Sequence, residues 1–263
     1  MKGTYIGNQR VLVAPIFGGK LIVPSNDLSL SPDLILNGAI EYPLTQYLRK
    51  NVRTGATVFD VGANLGYYTV LLGFLVGPGG RVIAYEPHPG VYPLLMDNLS
   101  INYVHDRVAV CRKAAYSERM PVPFYETSRF LGNSSIHEHG PGYHRHYVDE
   151  IRRIEVEAEP LDVHAGSVGQ VDLIKMDIEG GEYHAFLGMR ELLDAGRVES
   201  VVFELNKGML QSDWEPFAAL LGDLQASRKM AFFTLSDEGE PEGADIRTLA
   251  SAGAYPYVLM KRR

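Results

Sequence analysis

The 263-residue chain is 46% hydrophobic and 22% charged, with 25 basic against 32 acidic side chains and a net charge of −7. This composition excludes a disordered tail, and the acidic excess argues against a nucleic-acid partner, whose phosphate backbone calls for concentrated Lys and Arg. The longest nearly unbroken apolar stretch, Tyr67 to Gly77, falls short of the ~20 residues that cross a bilayer, so no membrane partner is expected. The N-terminus carries no basic-then-apolar export pattern. The one cysteine, Cys111, can form neither an internal disulfide nor a thiolate cluster, which suits a reducing compartment and a cytoplasmic location. A chain of this length supports one large core with a small appendage, so a single domain over residues 1–263 is expected.

Residues 5–24 mix β-branched residues with Gly18-Gly19 and predict a hairpin, and residues 40–50 carry apolar groups at helical spacing. Residues 1–50 form a lead-in. Thr57 to Val61 is a buried-strand run. Tyr67 to Val76 is apolar almost all round, as for a helix packed under a sheet, and Gly77-Pro78-Gly79-Gly80 stops it. Arg81 to Glu86, Gly90 to Ile101 and Val108 to Ala115 continue as strand, helix, strand. Between Ser117 and Glu155 the pattern dissolves into Gly, His, Tyr and Pro, too long for an ordinary connection and therefore read as a substrate lid. Beyond it come a strand (Val171 to Asp177), a helix (Glu182 to Ala195), a strand (Val198 to Leu205) and a helix (Asp213 to Ala226, with Asp213 as cap). Residues 229–235 and 255–262 make the last two strands. The sum is a seven-stranded α/β architecture, with alternating strands and helices predicting a mainly parallel sheet covered on both faces.

The segment Phe59-Asp60-Val61-Gly62-Ala63-Asn64-Leu65-Gly66 places a carboxylate near a strand's carboxyl end, followed by a glycine-bearing turn and a helix. Ligands of open α/β sheets bind there. Gly62 and Gly66 permit a tight turn and close backbone approach, and Asn64 is the non-glycine type most tolerant of left-handed geometry. Glu86 ends the next strand, where a Rossmann-like sheet places the carboxylate that accepts ribose hydroxyls. The pyrophosphate pattern Gly-x-Gly-x-x-Gly is absent, and the Asp60 carboxylate suits a cationic ligand portion such as the amino group of S-adenosylmethionine. Asp60 as a mere cap of a structural turn is the plainer alternative.

Three ordered blocks, Phe59 to Gly66, Ala84-Tyr85-Glu86-Pro87, and Lys175-Met176-Asp177-Ile178-Glu179-Gly180-Gly181-Glu182, resemble the FkbM-type methyltransferase family within the class I S-adenosylmethionine-dependent methyltransferases. The resemblance runs from about Gly55 to Leu205, weakens through 117–160, and takes in Gly38-Ala39-Ile40-Glu41 more loosely. It implies a Rossmann-like class I sheet and O-methylation of a hydroxyl, commonly on a sugar or a secondary metabolite. The cofactor would be carried by Asp60, Gly62, Asn64, Gly66 and Glu86, with Ala115 and Ser117 at the adenine and Asp177 beside the methionine arm.

A methyl sulfonium is already electrophilic, so the chemistry must supply an aligned, activated oxygen, through a general base or through a metal that acidifies the bound oxygen. Asp177 and Glu204 close neighbouring strands, and Asn206 lies on the same face as Glu204. These oxygen donors fit Mg2+ or another hard divalent cation. Lys175 shares a strand face with Asp177 and is either a catalytic group or half of a structural ion pair. Glu179 follows in the turn as a further catalytic candidate, while Glu182 complements a helix dipole. His137, His139, His144 and His146 give His-x-His spacing twice. A zinc site is disfavoured because neither cysteine nor helical spacing supports it. His144 is the candidate base, between Tyr143 and Tyr147, which could stack on a sugar, and beside Arg145. Gly132-Asn133-Ser134-Ser135 is a polar contact or only a turn, and Trp214, Phe217, Leu220 and Leu221 read as core.

The leading expectation is an O-methyltransferase acting on a saccharide or polyhydroxylated natural product. An NAD-dependent oxidoreductase and a non-catalytic glycan- or metabolite-binding module on the same fold are the alternatives. The Tyr and Ile groups near 136–154 would serve either a homodimer contact or closure over substrate.

Overall fold

The computed structural model describes residues 3–227 and 229–263. The lead-in is a three-stranded antiparallel sheet, β1 (Gly3–Gly7), β2 (Arg10–Val13) and β3 (Leu21–Pro24), followed by α1 (Ser31–Asn37) and α2 (Tyr42–Asn51). Then come β4 (Thr57–Val61), α3 (Tyr67–Val76), β5 (Arg81–Tyr85), α4 (Tyr92–Ile101) and β6 (Val108–Cys111). The next stretch holds β7 (Ala114–Ala115), β8 (Met120–Thr127), the short α5 (Tyr143–His146) and β9 (Ile151–Glu159). The alternation resumes with β10 (Leu173–Met176), α6 (Glu182–Leu187), α7 (Arg190–Asp194), β11 (Ser200–Asn206), α8 (Lys207–Leu210) and α9 (Trp214–Ala226). The chain ends on β12 (Met230–Leu235), β13 (Pro241–Ala244), α10 (Ile246–Ala252) and β14 (Ala254–Arg262).

The main sheet has the order β13-β12-β14-β11-β10-β4-β5-β6. Strands β4, β5, β6, β10 and β11 run parallel, and β14 is antiparallel to both its neighbours, β11 and β12. Seven of these strands are the expected ones. The eighth, β13, is an edge addition, and its Pro-Glu-Gly-Ala sequence lacks the apolar alternation by which a strand is read. From β4 the chain builds outward to β5 and β6, then returns to the other side of β4 with β10, so the strand order reverses between β4 and β10. A ligand crevice opens at such a reversal.

Successive side chains of the central strands enter two different cores, because a strand's side chains alternate between faces. Val58, Val82, Ala84, Leu173 and Val202 pack on the face covered by α3, whereas Phe59, Ile83, Ile174, Val201 and Phe203 pack on the other. Burial on both faces explains the continuous apolar runs. Trp214, Phe217 and Leu221 are buried in the second core, as expected, with Leu220 half-buried against it.

The structure revises three expectations outside the site. Residues 117–155 are not formless: β8 pairs antiparallel with β9 from Met120↔Ala158 to Thr127↔Ile151, in a small sheet of order β7-β9-β8. Pro121 and Pro123 disguise the first strand, yet β8 is an edge, where a missing N–H is tolerated. The helix expected from Glu182 to Ala195 breaks into α6 and α7 at Gly188, where a Cβ would lie 1.9 Å from the Tyr116 carbonyl oxygen. The hairpin of residues 5–24 has three strands rather than two.

Asp27 staples the lead-in to the lid. Its carboxylate, 2% exposed, accepts the N–H groups of Ser29, Leu30 and Ser31 and, across the chain, that of Leu131 at 3.1 Å. Ser29 Oγ adds the Gly132 N–H at 2.9 Å. Asp27→Ala strands these buried donors and is expected to cost about 1–3 kcal/mol in urea unfolding. It should also speed proteolysis between 128 and 150; an unchanged cleavage rate there counts against the staple.

Candidate active site

A cavity of about 310 Å³ lies over the carboxyl ends of β4, β5, β10 and β11, and Leu30 from the lead-in and Leu131 and Ile136 from the lid also line it. Its floor is the turn after β4. Gly62 has φ +81°, and a Cβ there would sit 1.8 Å from the Asp177 carbonyl oxygen, so only glycine lets the β4 and β10 tips run this close. Asn64 takes the left-handed conformation at φ 49°, and Gly66, at φ 95°, starts α3. Glu86, 5% exposed, accepts the Asn64 N–H at 2.7 Å and the His88 N–H at 2.8 Å. A carboxylate has about four acceptor positions, so two remain for hydroxyl donors in the cavity it lines. Burial pushes the Glu86 carboxyl up to about 7, against the opposing effect of those backbone bonds. Ala115 also lines the cavity. Cradle, carboxylate and wall fit an adenosyl group.

Asp60 does not reach this cavity. Its side chain alternates onto the α3 face, fully buried, and accepts the Thr69 hydroxyl at 2.6 Å. Lys175 is its direct register partner on β10, so the two side chains share a face, with Nζ 3.5 Å from Asp60 Oδ1. Lys175 also donates to the Gly62 carbonyl at 2.9 Å. Of the two roles open to Lys175, the ion-pair role is the one seen: it ties the first and third sequence blocks together beneath the cofactor turn. Burial lowers the Lys175 pKa, but the carboxylates of Asp60 and Asp177 outweigh it and hold the ammonium above its ordinary value. The expected contact between Asp60 and a cofactor amino group is therefore replaced. Glu41 is the acidic residue that lines the cavity from the lead-in, at the start of α2 with φ 44°. Burial first, and then repulsion from Asp177, pushes its carboxyl up to about 7. Its only sequence signal was membership of the loosely matching Gly38 to Glu41 segment.

Asp177, Glu179 and Glu204 converge, each offering an oxygen within 4.8 Å of the others. All three line the cavity. Glu204 is raised to about 7 by burial and by Asp177, and Glu179 well above its ordinary value by burial and by Asp177 and Glu204. Asn206 is not a third oxygen donor. Its Oδ1 caps α8 by accepting the N–H groups of Gly208 and Met209, and its amide donates to Glu204 Oε1 at 3.1 Å. Glu179 takes the place assigned to Asn206, because the turn after β10 swings it back over the strand tips at φ 52°.

That turn is braced from the lid. Ser135 Oγ donates to the Glu179 carbonyl at 2.6 Å, and His137 Nε2 lies 3.1 Å from the Gly180 carbonyl. Asp213 does not cap α9; its Oδ2 faces two imidazoles, 3.4 Å from His137 Nε2 and 3.2 Å from His184 Nε2. Glu182, 2% exposed, accepts the Ile178 N–H at 3.1 Å, a turn-closing role rather than a dipole one. Ser117 faces His184 at 3.4 Å and is not among the cavity-lining residues. His144 is exposed on α5 and does not line the cavity. Its neighbours Tyr143 and Tyr147 pack on each other at 4.8 Å and are not free platforms. His139 meets the Asn133 carbonyl at 2.7 Å, so the two His-x-His pairs form no common site.

The excess of buried carboxyls sets a pH dependence. A carboxyl whose folded pKa is raised keeps its proton after the unfolded chain has lost it, so stability falls as pH rises through that window. Glu41, Glu86 and Glu204 at about 7 and Glu182 at about 8 act this way. The histidines His88, His139, His164 and His184, lowered by burial, act oppositely below about pH 6.5. Denaturant titrations in chelator should therefore show falling stability between about pH 6.5 and 8; a rise over that interval contradicts the assignment.

The sequence matches the family described as Methyltransferase FkbM domain over residues 60–251. It is 27% identical to the 31-O-demethyl-FK506 methyltransferase FkbM of Streptomyces tacrolimicus over 233 residues, covering 78% of this chain and 84% of that protein. With the methyltransferase sdnD of Sordaria araneosa it shares 23% over 189 residues, 63% of this chain and 69% of that one. An O-methyltransferase from Bacillus cereus, solved in complex with SAH, superposes with a TM-score of 0.47 at 14% identity, over 91% of this chain and 84% of that one. With the glycine cradle, Glu86 and the three converging carboxylates on one cavity at the strand-order reversal, the chain belongs to the FkbM-type S-adenosylmethionine-dependent methyltransferase family.

Proposed function

We propose that the protein methylates a hydroxyl group of a saccharide or polyhydroxylated natural product, with a divalent cation held by Asp177, Glu179 and Glu204. The observation that carries this reading is the convergence of three carboxylate oxygens within 4.8 Å on the cavity that also holds the cofactor cradle. All-oxygen donors favour Mg2+ or a similar hard ion. The Streptomyces tacrolimicus relative, whose name specifies an O-demethyl substrate, supports oxygen as the acceptor.

When bound, S-adenosylmethionine supplies an electrophilic methyl group, and the cation lowers the pKa of an oxygen it contacts. The chain's own residues do the rest. Glu86 accepts the ribose hydroxyls, Gly62 lets the backbone approach without a Cβ, and Glu41 offers a negative charge to the cofactor's ammonium. Lys175 holds the Gly62 carbonyl and so fixes the turn. Asn206 aims Glu204, while Ser135 and His137 hold the backbone that carries Glu179. The lid excludes water and orients the acceptor, and such positioning supplies up to roughly 7–11 kcal/mol of a barrier.

The test is a panel of saccharides and polyols incubated with S-adenosylmethionine, with methylated products identified by mass spectrometry and NMR. The expected product is an ether, formed in the presence of Mg2+ and lost in chelator. Methylation confined to nitrogen or carbon rejects the acceptor class, and full turnover in chelator rejects the cation.

A further inference from the structure

We propose that the acceptor carries no anionic group, so that methylation follows the step that removes phosphate from the sugar or polyol. This inference rests on the O-methylation reading and adds to it the acceptor's charge class. It comes from how the charges around the cavity are paired.

Five carboxyl groups line the cavity: Glu41, Glu86, Asp177, Glu179 and Glu204. Among the described residues, the lysine and arginine side chains that line it are Lys113 and Lys175. Each is held by a carboxylate that does not line the cavity. Lys175 Nζ sits 3.5 Å from Asp60 Oδ1, donates to the Gly62 carbonyl at 2.9 Å, and lies 5.2 Å from the centre of the Tyr68 ring. Lys113 Nζ lies 2.6 Å from Oε2 of Glu159, a side chain only 7% exposed. The exposed Arg119 comes no nearer than 3.7 Å to that oxygen, so Lys113 is the close partner. Turning either lysine toward an acceptor anion would break an existing pair and leave a buried carboxylate behind, which offsets the gain of the new one. His88 also lines the cavity, but its Nδ1 accepts the Gly90 N–H at 3.0 Å and burial favours the neutral ring.

Bound ligands do not reverse the sign. A divalent ion leaves the cluster of Asp177, Glu179 and Glu204 net negative, and the methyl donor, a cation overall, faces Glu41 and Glu86. Protonating a carboxyl removes a negative charge and supplies no positive one, so the conclusion does not depend on which carboxyls are ionised. An acceptor phosphate or carboxylate therefore meets like charges with no counter-charge at hand. The arginines of the lid do not change this, because Arg129, Arg145, Arg152 and Arg153 are exposed and none lines the cavity.

A nucleotide-activated sugar, a sugar phosphate and a uronic acid each carry an anion within about one ring of their hydroxyls. The reaction that supplies the acceptor is accordingly a glycosyl transfer that has released its nucleotide, or a phosphate hydrolysis.

Two measurements on the full chain in Mg2+ test this. In the first, adenosine, methylthioadenosine and adenosine monophosphate displace S-adenosylhomocysteine in calorimetric competition. The three share the adenosyl group and differ in what replaces the methionine arm, with methylthioadenosine controlling for size. Both neutral nucleosides should bind at least about tenfold more tightly than the monophosphate. Equal or tighter binding of the monophosphate overturns the proposal without reference to any acceptor. In the second, the saccharide that yields an ether is compared with its phosphate ester, its uronic acid and the amide of that acid. Both anions should show kcat/KM at least about 30-fold below the parent, and the amide should return to within about threefold of it. An anion turned over as well as the parent overturns the proposal. No ether from any saccharide, with the nucleosides still ahead of the monophosphate, rejects the O-methylation reading alone and upholds the exclusion of anions from the cavity.

Discussion

Replacing Lys175 by methionine is expected to destabilise the protein by about 3–5 kcal/mol, the cost of leaving a buried carboxylate without its partner. The Lys175 and Asp60 side chains are only 3% and 0% exposed. Asp60 Oδ2 has the Thr69 hydroxyl, but Oδ1 lacks a hydrogen-bond partner and relies on the ammonium 3.5 Å away. Removing that charge also frees the Gly62 carbonyl from its 2.9 Å bond, so cofactor affinity should fall with stability. The double variant Asp60→Asn/Lys175→Met removes both charges and should regain most of the lost stability, because an absent ion pair costs far less than a broken one. Urea unfolding of the wild type, both single variants and the double variant closes the cycle. A single-variant loss below about 1 kcal/mol, as for an exposed pair, would mean that Asp60 is not held by Lys175.

Glu204→Gln tests the chemistry rather than the fold. The substitution keeps shape and leaves Glu86, Gly62 and Glu41 untouched, so affinity for S-adenosylhomocysteine should stay within about threefold while turnover falls at least about 100-fold. That loss corresponds to roughly 3 kcal/mol of transition-state stabilisation. Burial and repulsion from Asp177 make the ionised Glu204 costly without a cation. The variant should therefore be as stable as the wild type, or more so, in chelator at about pH 8. In Mg2+ the order should reverse, because only the wild type gains full stabilisation from an ion bound to the native state. Turnover within about threefold of wild type, or a loss explained wholly by weaker cofactor binding, would remove Glu204 from the reacting centre.

The β4 and β10 blocks were legible because each joins a buried apolar run to a glycine turn, a pattern set by local backbone needs, and the β5 block because its apolar run ends on Glu86-Pro87. Gly62 illustrates this: its φ of +81° and its contact with the Asp177 backbone are demands that the residue type announces. The lid strands were less legible. The prolines of β8 look like turn residues until the strand is known to be an edge. His144 stands between two tyrosines in the sequence, yet those rings pack on one another and leave it in solvent.

By itself, the sequence determined the alternation of strand and helix, the cofactor turn and the carboxylates at the strand tips, since those follow from side-chain periodicity and glycine's conformational range. Only the tertiary structure decided which carboxylate does what. Register places Asp60 opposite Lys175 and so consumes its charge inside the sheet, while Glu41 arrives from a lead-in far away in the chain. Glu179 joins Asp177 and Glu204 through the same cause. Charge and ligation act over a few ångströms of space, and chain separation carries no record of that distance until the sheet is assembled.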